Sequence, residues 1–340
     1  MSKPLPRIPM YPRDGPGSFE VIGGTGPITT MVSCGKDFLE IYKTDRTFRS
    51  QSPESVDPGR TNPNAPWVHT QVAEVGSSNP IVARLFIQSS EMLKSNIFAP
   101  TVNRDAAVMH MHACKESLLA ADAIAKDLGA QINATLAHMR ENLTEYSSRR
   151  TVALPHVQDL ESKCASFLVL VNRTIKRISE IPNFFLRLDR RHSNFKDLGN
   201  ALSGLLGEKH LITDFVRGND RQLKHFIDLR NFHEHPKKSA TSIRNFYVLP
   251  DGGISAPTWQ VVGEQEGELG FIQQEMAQGV ELLLGVGEWL FLLLIDHQLA
   301  KESRLRGQIE QISEAQINPD LAIRYRIQYY LPNPPAAAPT

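Results

Sequence analysis

Residues 156–180 read HVQDLESKCASFLVLVNRTIKRISE. Val157, Leu160, Cys164, Phe167, Val171, Ile175 and Ile178 follow one another at steps of three or four, which sets them on one face of an α-helix. Pro182 ends the pattern, because its ring cannot continue a helix. A helix carrying one unbroken apolar stripe must bury it against other elements. This stretch therefore predicts a packed helical core, and the neighbouring sequence extends it in both directions.

Upstream, Asn79-Pro80 supplies an N-cap and a first-turn proline, so a helix is predicted from there to just before Pro100. A longer helical region is predicted over 104–146, with Leu128, Ile132, Leu136, Met139 and Leu143 on one face. Downstream, helices are predicted at 194–206, 209–216 and 220–233, and a long one at 266–306. Between the last two, IRNFYVL (243–249) and ISAPTWQVV (254–262) flank PDGG, the pattern of a β-hairpin. A short helix is predicted after Asn318-Pro319, and the tail LPNPPAAAPT is predicted to be disordered.

Residues 1–76 have a different character, rich in Pro, Gly and Ser. Short strands are predicted at 28–33, 38–43 and 47–50, and the proline-rich stretch 52–67 as a loop. The fold expected is therefore mainly α: a helical bundle over 77–312 with an inserted hairpin near 243–262. A small β-containing segment (1–76) precedes it, and a short helix with a Pro-rich tail (313–340) follows.

The 340 residues suffice for a full hydrophobic core. Hydrophobic residues make up 41% and charged residues 22%, ordinary for a folded chain. Lys+Arg and Asp+Glu both number 37, which argues against a protein that coats nucleic acid but leaves room for a local basic groove. Cys34, Cys114 and Cys164 form no CxxC, so neither a disulfide scaffold nor a cysteine zinc site is predicted. The start of the chain lacks the apolar stretch of a signal peptide. The most apolar run, LLLGVGEWLFLLLI (282–295), is too short to span a bilayer and holds Glu288. A cytoplasmic protein without membrane association is expected.

Nucleotide-fold signals are poor. GGTGP (23–27) lacks the Lys-Ser/Thr of a phosphate loop, and Pro27 removes a backbone donor. His110 and His112 are two apart on a helix and point about 100° from one another per residue step, so one is expected in the core and the other in solvent. The densest group of chemistry-bearing residues is DLRNFHEHPKK (228–238). It lies where a helix must end, because Pro236 drives His235 out of the α region. Arg230 and His235 are five residues apart and converge only if the helix ends between them.

An arginine presents a fixed, permanently charged fork to a phosphodiester. A histidine moves protons near neutrality, and Asn231 can hold a donor and an acceptor in place. Together they suit RNA cleavage in which the 2′-OH attacks its own phosphate. One histidine cannot easily serve both ends of the bond, and a two-fold dimer would supply the second. The plainer reading is an Arg230–Glu234 salt bridge at a helix end. A metal site at His225, His233, His235 and Glu234 is disfavoured, because His233 and His235 point apart. No metal and no cofactor are expected.

The run Arg230-Asn-Phe-His-Glu-His235 in a helical context resembles the motif of the HEPN superfamily. The resemblance implies an all-α bundle and a metal-independent endoribonuclease acting as a homodimer. Such enzymes serve in defence, toxin–antitoxin or stress systems. It makes Arg230 and His235 the catalytic pair, with Asn231 positioning, RNA as substrate, and an antitoxin or other regulatory protein as a further partner. Lys237 stands where silenced toxins of the family carry a tyrosine. The non-catalytic alternative is a HEPN-like bundle that binds nucleic acid or protein. Between residues 170 and 200, seven Lys/Arg face three acidic residues. Arg187, Arg190 and Arg191 follow Phe184-Phe185, a mixture that suits single-stranded nucleic acid.

Overall fold

The structure is a computed structural model. It describes residues 21–35, 38–94, 98, 102–141, 153–188, 192, 194–299 and 306–330. In chain order its elements begin with β1 (Thr30–Cys34), β2 (Phe38–Tyr42), β3 (Thr47–Gln51), α1 (Pro53–Val56) and β4 (Val68–Ala73). A π-helical turn (Ile81–Ile87) then leads into α2 (Gln88–Leu93), followed by α3 (Arg104–Glu141), α4 (Leu160–Glu180), α5 (Phe195–Leu206) and α6 (Leu211–Glu234). Next come β5 (Ser239–Arg244), β6 (Tyr247–Val248), β7 (Ile254–Ser255), β8 (Thr258–Gly263), β9 (Gly270–Phe271) and α7 (Ile272–Gln298). The last strands are β10 (Arg306–Gln311) and β11 (Tyr325–Tyr330).

The expectation of a mainly α, HEPN-like bundle is corrected. Of the described residues 52% are helical and 19% lie in strands, and these strands build four separate sheets. The chain is a mixed α and β protein. Two compact units divide it. One comprises the described parts of Met1–Phe98, Asn103–His112 and Leu299–Thr340, the other those of Ala99–Val102 and Ala113–Gln298.

In the first unit β1 to β4 form an antiparallel meander in sequence order. Its register pairs Cys34 with Phe38, Val32 with Glu40 and Glu40 with Arg49. Paired residues share a face and alternate residues along a strand return to it. Cys34, Phe38, Glu40, Tyr42 and Arg49 therefore stand on one face, while Ile41 packs on the other with Val21 and Phe48. Strand β4, which the sequence does not predict, pairs with β3; half its residues are polar and none is buried. The short helix expected after Asn318-Pro319 is replaced by the antiparallel β10–β11 hairpin. Gln88 anchors it, its side-chain carbonyl accepting from the backbone N–H groups of Arg324 and Tyr325 at 2.8 Å.

In the second unit the apolar stripe of residues 157–178 is core. Leu160, Cys164, Phe167, Val171, Ile175 and Ile178 of α4 are all buried, against α6 and α7. Burying such side chains is worth about 1.5–3 kcal/mol each before the entropy of ordering them is counted. Helix α6 corrects the two short helices predicted over 209–233: it runs unbroken through Gly218. The β-hairpin is present in two stages, β6 pairing with β7 around the PDGG turn and β5 with β8 further out, with β9 added at the edge of β8. Helix α7 is shorter than predicted. It is the one helix among the described residues with the length and composition to cross a membrane, and about two thirds of its most apolar window is buried. Glu288 is buried within it.

Candidate functional site

Helix α6 ends where proline dictates. Glu234 is its last residue, and His235 takes φ −131° and ψ 60° as the C-cap. The His235 N–H still donates to the Asn231 carbonyl at 2.8 Å. The Arg230 guanidinium pairs with Oε2 of Glu234, and His235 Nε2 lies 3.9 Å from the same oxygen. Arg230 Nη1 also donates to Asn231 Oδ1 at 3.1 Å. Arg230 and His235 thus both approach Glu234 Oε2, and Arg230 also meets Asn231.

Exposure differs between the two. The His235 side chain is 70% exposed and that of Arg230 only 26%. Arg230 Nε is buried with no hydrogen-bond partner among the described residues, an expensive arrangement for a charged group. A bound anion that reached both Nε and a terminal nitrogen would satisfy it, which is the bidentate geometry guanidinium groups favour.

The histidines considered as metal ligands separate. His225 pairs with Glu275, His233 with Glu161 at 3.7 Å, and His235 with Glu234. His233 and Glu161 line a cavity of about 570 Å³ with His156, Asp159 and Asn245. Of the basic stretch, Arg187 is exposed and lines a cavity of about 750 Å³ with His192, Asp197 and Asn200. Arg190 and Arg191 lie outside the described residues.

One arrangement escaped the sequence reading. His225 Nε2 lies 3.0 Å from Glu275 Oε2, and Trp259 Nε1 donates to the same oxygen. Gly270 makes room for this carboxylate: a Cβ there would sit 2.1 Å from Glu275 Oε1. The hydrogen bond to Glu275 raises the His225 pKa above its ordinary value, against the opposing effect of burial. The pair lines a cavity of about 790 Å³ with Arg221, Glu266 and Glu268. A carboxylate that orients an imidazole beside a cavity is the arrangement general acid–base sites use. Its only local sign in the sequence is a histidine beside the inward-facing Phe226.

Comparison of the chain with family models, with curated proteins and with solved structures yields no match.

Proposed function

We propose that the chain is a metal-independent endoribonuclease whose active residues are Arg230 and His235, with Asn231 holding the guanidinium in place. The observation that supports this best is the meeting of Arg230 and His235 at one carboxylate oxygen, on a helix end where His235 is open to solvent. On a regular helix residues five apart diverge, whereas here the helix ends at Glu234 and both side chains approach the carboxylate of that last residue.

In this reading an RNA phosphate displaces Glu234 from Arg230 and engages the guanidinium, including the unpaired Nε. The substrate's 2′-OH attacks its own phosphorus. The new 2′-O–P bond forms as the P–O5′ bond breaks, leaving a 2′,3′-cyclic phosphate and a 5′-OH. One proton leaves the 2′-OH and another reaches O5′. His235 carries one of these transfers, and the same residue of a second copy in a homodimer carries the other. Arg230 offsets the charge that grows on the phosphate oxygens. The test is cleavage of RNA with a chelator present, comparing the wild type with Arg230→Ala and His235→Ala.

A second reading has its own observation. The two terminal nitrogens of Arg230 are engaged within its own helix, by Glu234 and Asn231. If these contacts are its whole role, the group is a helix-end ion pair in a binding or adaptor protein. Such an i,i+4 pair contributes a few tenths of a kcal/mol, about 0.2–0.5, and nothing to cleavage.

A further inference from the structure

We propose that Cys34, Glu40 and His112 form a binding site for one borderline divalent transition ion of the Zn²⁺ class. The site lies in the first unit and does not rest on the nuclease reading. The three residues come from β1, β2 and α3, and their ligand atoms all lie within 4.8 Å of one another. All three are buried, Cys34 and Glu40 completely. The sheet register explains how two of them meet. Cys34 pairs with Phe38, which stands two residues before Glu40 on the same face, so thiol and carboxylate project side by side. The first turns of α3 bring His112 to that face, its Nε2 2.7 Å from Glu40 Oε1.

The donor set selects the ion. Thiolate and imidazole are the ligands of zinc and its neighbours, whereas magnesium and calcium take oxygen alone. Three protein donors leave the fourth tetrahedral position for a small exogenous ligand. The surroundings are those of an oriented site. Tyr42 donates its hydroxyl to Glu40 Oε2, which leaves Oε1 as the oxygen aimed at His112. Arg49 approaches Oε1 at 3.4 Å and stacks over Phe38, with its guanidinium carbon 4.0 Å from the ring centroid. The edge-on rings of Phe38 and Phe86, with centroids 5.7 and 5.1 Å from that of His112, fix the imidazole plane. Groups that hold ligands in this way govern metal affinity as strongly as their packing allows.

Binding balances simply. The Cys34 thiol loses one proton to solvent as the S–metal bond forms. His112 moves its proton from Nε2 to Nδ1 by exchange with solvent, which frees the Nε2 lone pair, and Glu40 Oε1 gives up its hydrogen bond with Nε2 for the ion. Thiolate and carboxylate then neutralise the two positive charges. The ion's own charge is thus offset by its ligands, as low-dielectric surroundings require, while the Arg49 guanidinium, about one-third exposed, keeps its charge beside Glu40.

The probe is Co²⁺, titrated into the chelator-treated full chain and followed by absorption. The expected result is one ion per chain, with a thiolate-to-cobalt charge-transfer band and the visible bands of four-coordinate cobalt, all lost on adding Zn²⁺ but not Mg²⁺. Folded Cys34→Ser loses the charge-transfer band, and Glu40→Gln weakens cobalt binding by about tenfold or more. Should Cys34→Ser not fold, a Cys114→Ser, Cys164→Ser double variant decides, since Cys34 is then the only thiol. The band retained there supports the site, and the band lost overturns it. Absence of the band in folded wild type at saturating Co²⁺, or its survival in folded Cys34→Ser, also overturns it.

Discussion

His225 Nε2 lies 3.0 Å from Glu275 Oε2, although 50 residues separate them along the chain. The contact joins the middle of α6 to the first turn of α7 beside a cavity of about 790 Å³. The sign of its pH dependence follows. The His225 pKa is raised above 6.5 in the folded state, first by the hydrogen bond to Glu275. Its stabilisation is therefore fully present below the unfolded value and fades as pH rises through the folded one. The chain is expected to lose stability as pH rises above about 6.5, measured as urea midpoints at a series of pH values. Glu275→Gln is expected to flatten this dependence and return the His225 titration, followed by NMR, towards its ordinary value.

Gly270→Ala tests the same site from the backbone. The new methyl would fall 2.1 Å from Glu275 Oε1, so the carboxylate must move away from His225 and Trp259. The expected cost is about 1–3 kcal/mol in urea unfolding, accompanied by a lower His225 pKa. An unchanged His225 titration in this variant would show that Glu275 does not hold the imidazole.

Burial pushes the thiols of Cys114 and Cys164 up to about 12. At pH 8 only about one in ten thousand of each is thiolate, the reactive form. Native protein is expected to alkylate at these two positions only as fast as it unfolds, and denaturant to release both at once. Peptide mass spectrometry after timed alkylation checks this.

The α4 stripe makes a packing prediction. Ile175→Ala removes a fully buried side chain from the seam that α4 shares with α6 and α7, and is expected to cost about 2–5 kcal/mol. The urea midpoint should fall without a change in slope.

What could be read from the sequence was local. The 3.6-residue period of α4 and the first three strands lie within short windows, and Arg230 to His235 is one such window closed by Pro236. What could not be read was set by tertiary contact. The VRGND stretch looks like a break in α6. Yet Gly218 costs only about 1 kcal/mol, less than Val216 and Leu223 gain by burial on either side. Gly279 shows the same logic between helices. A Cβ there would lie 2.7 Å from Phe226, so the glycine that weakens α7 locally is what lets α6 approach. Asn318-Pro319 carries a valid helix start, but Tyr325–Tyr330 gains more by pairing with Arg306–Gln311. These pairings, more than any misjudged helix, turn the expected α bundle into a mixed fold. The His225–Glu275 and Cys34–Glu40–His112 groups join residues from separate elements, and no spacing rule reaches across them.

The central claim, that Arg230 and His235 cut RNA without metal, is tested most directly by the ends of the product. Several single-stranded RNAs are incubated with the chain in EDTA, after circular dichroism shows wild type, Arg230→Ala and His235→Ala to be folded in the same medium. The account predicts 2′,3′-cyclic phosphate ends from wild type, and a rate about a hundredfold or more lower in each variant. Folded wild type that leaves every RNA intact, or variants that cut as fast as wild type, would contradict it and leave Arg230–Glu234 as a helix-end ion pair.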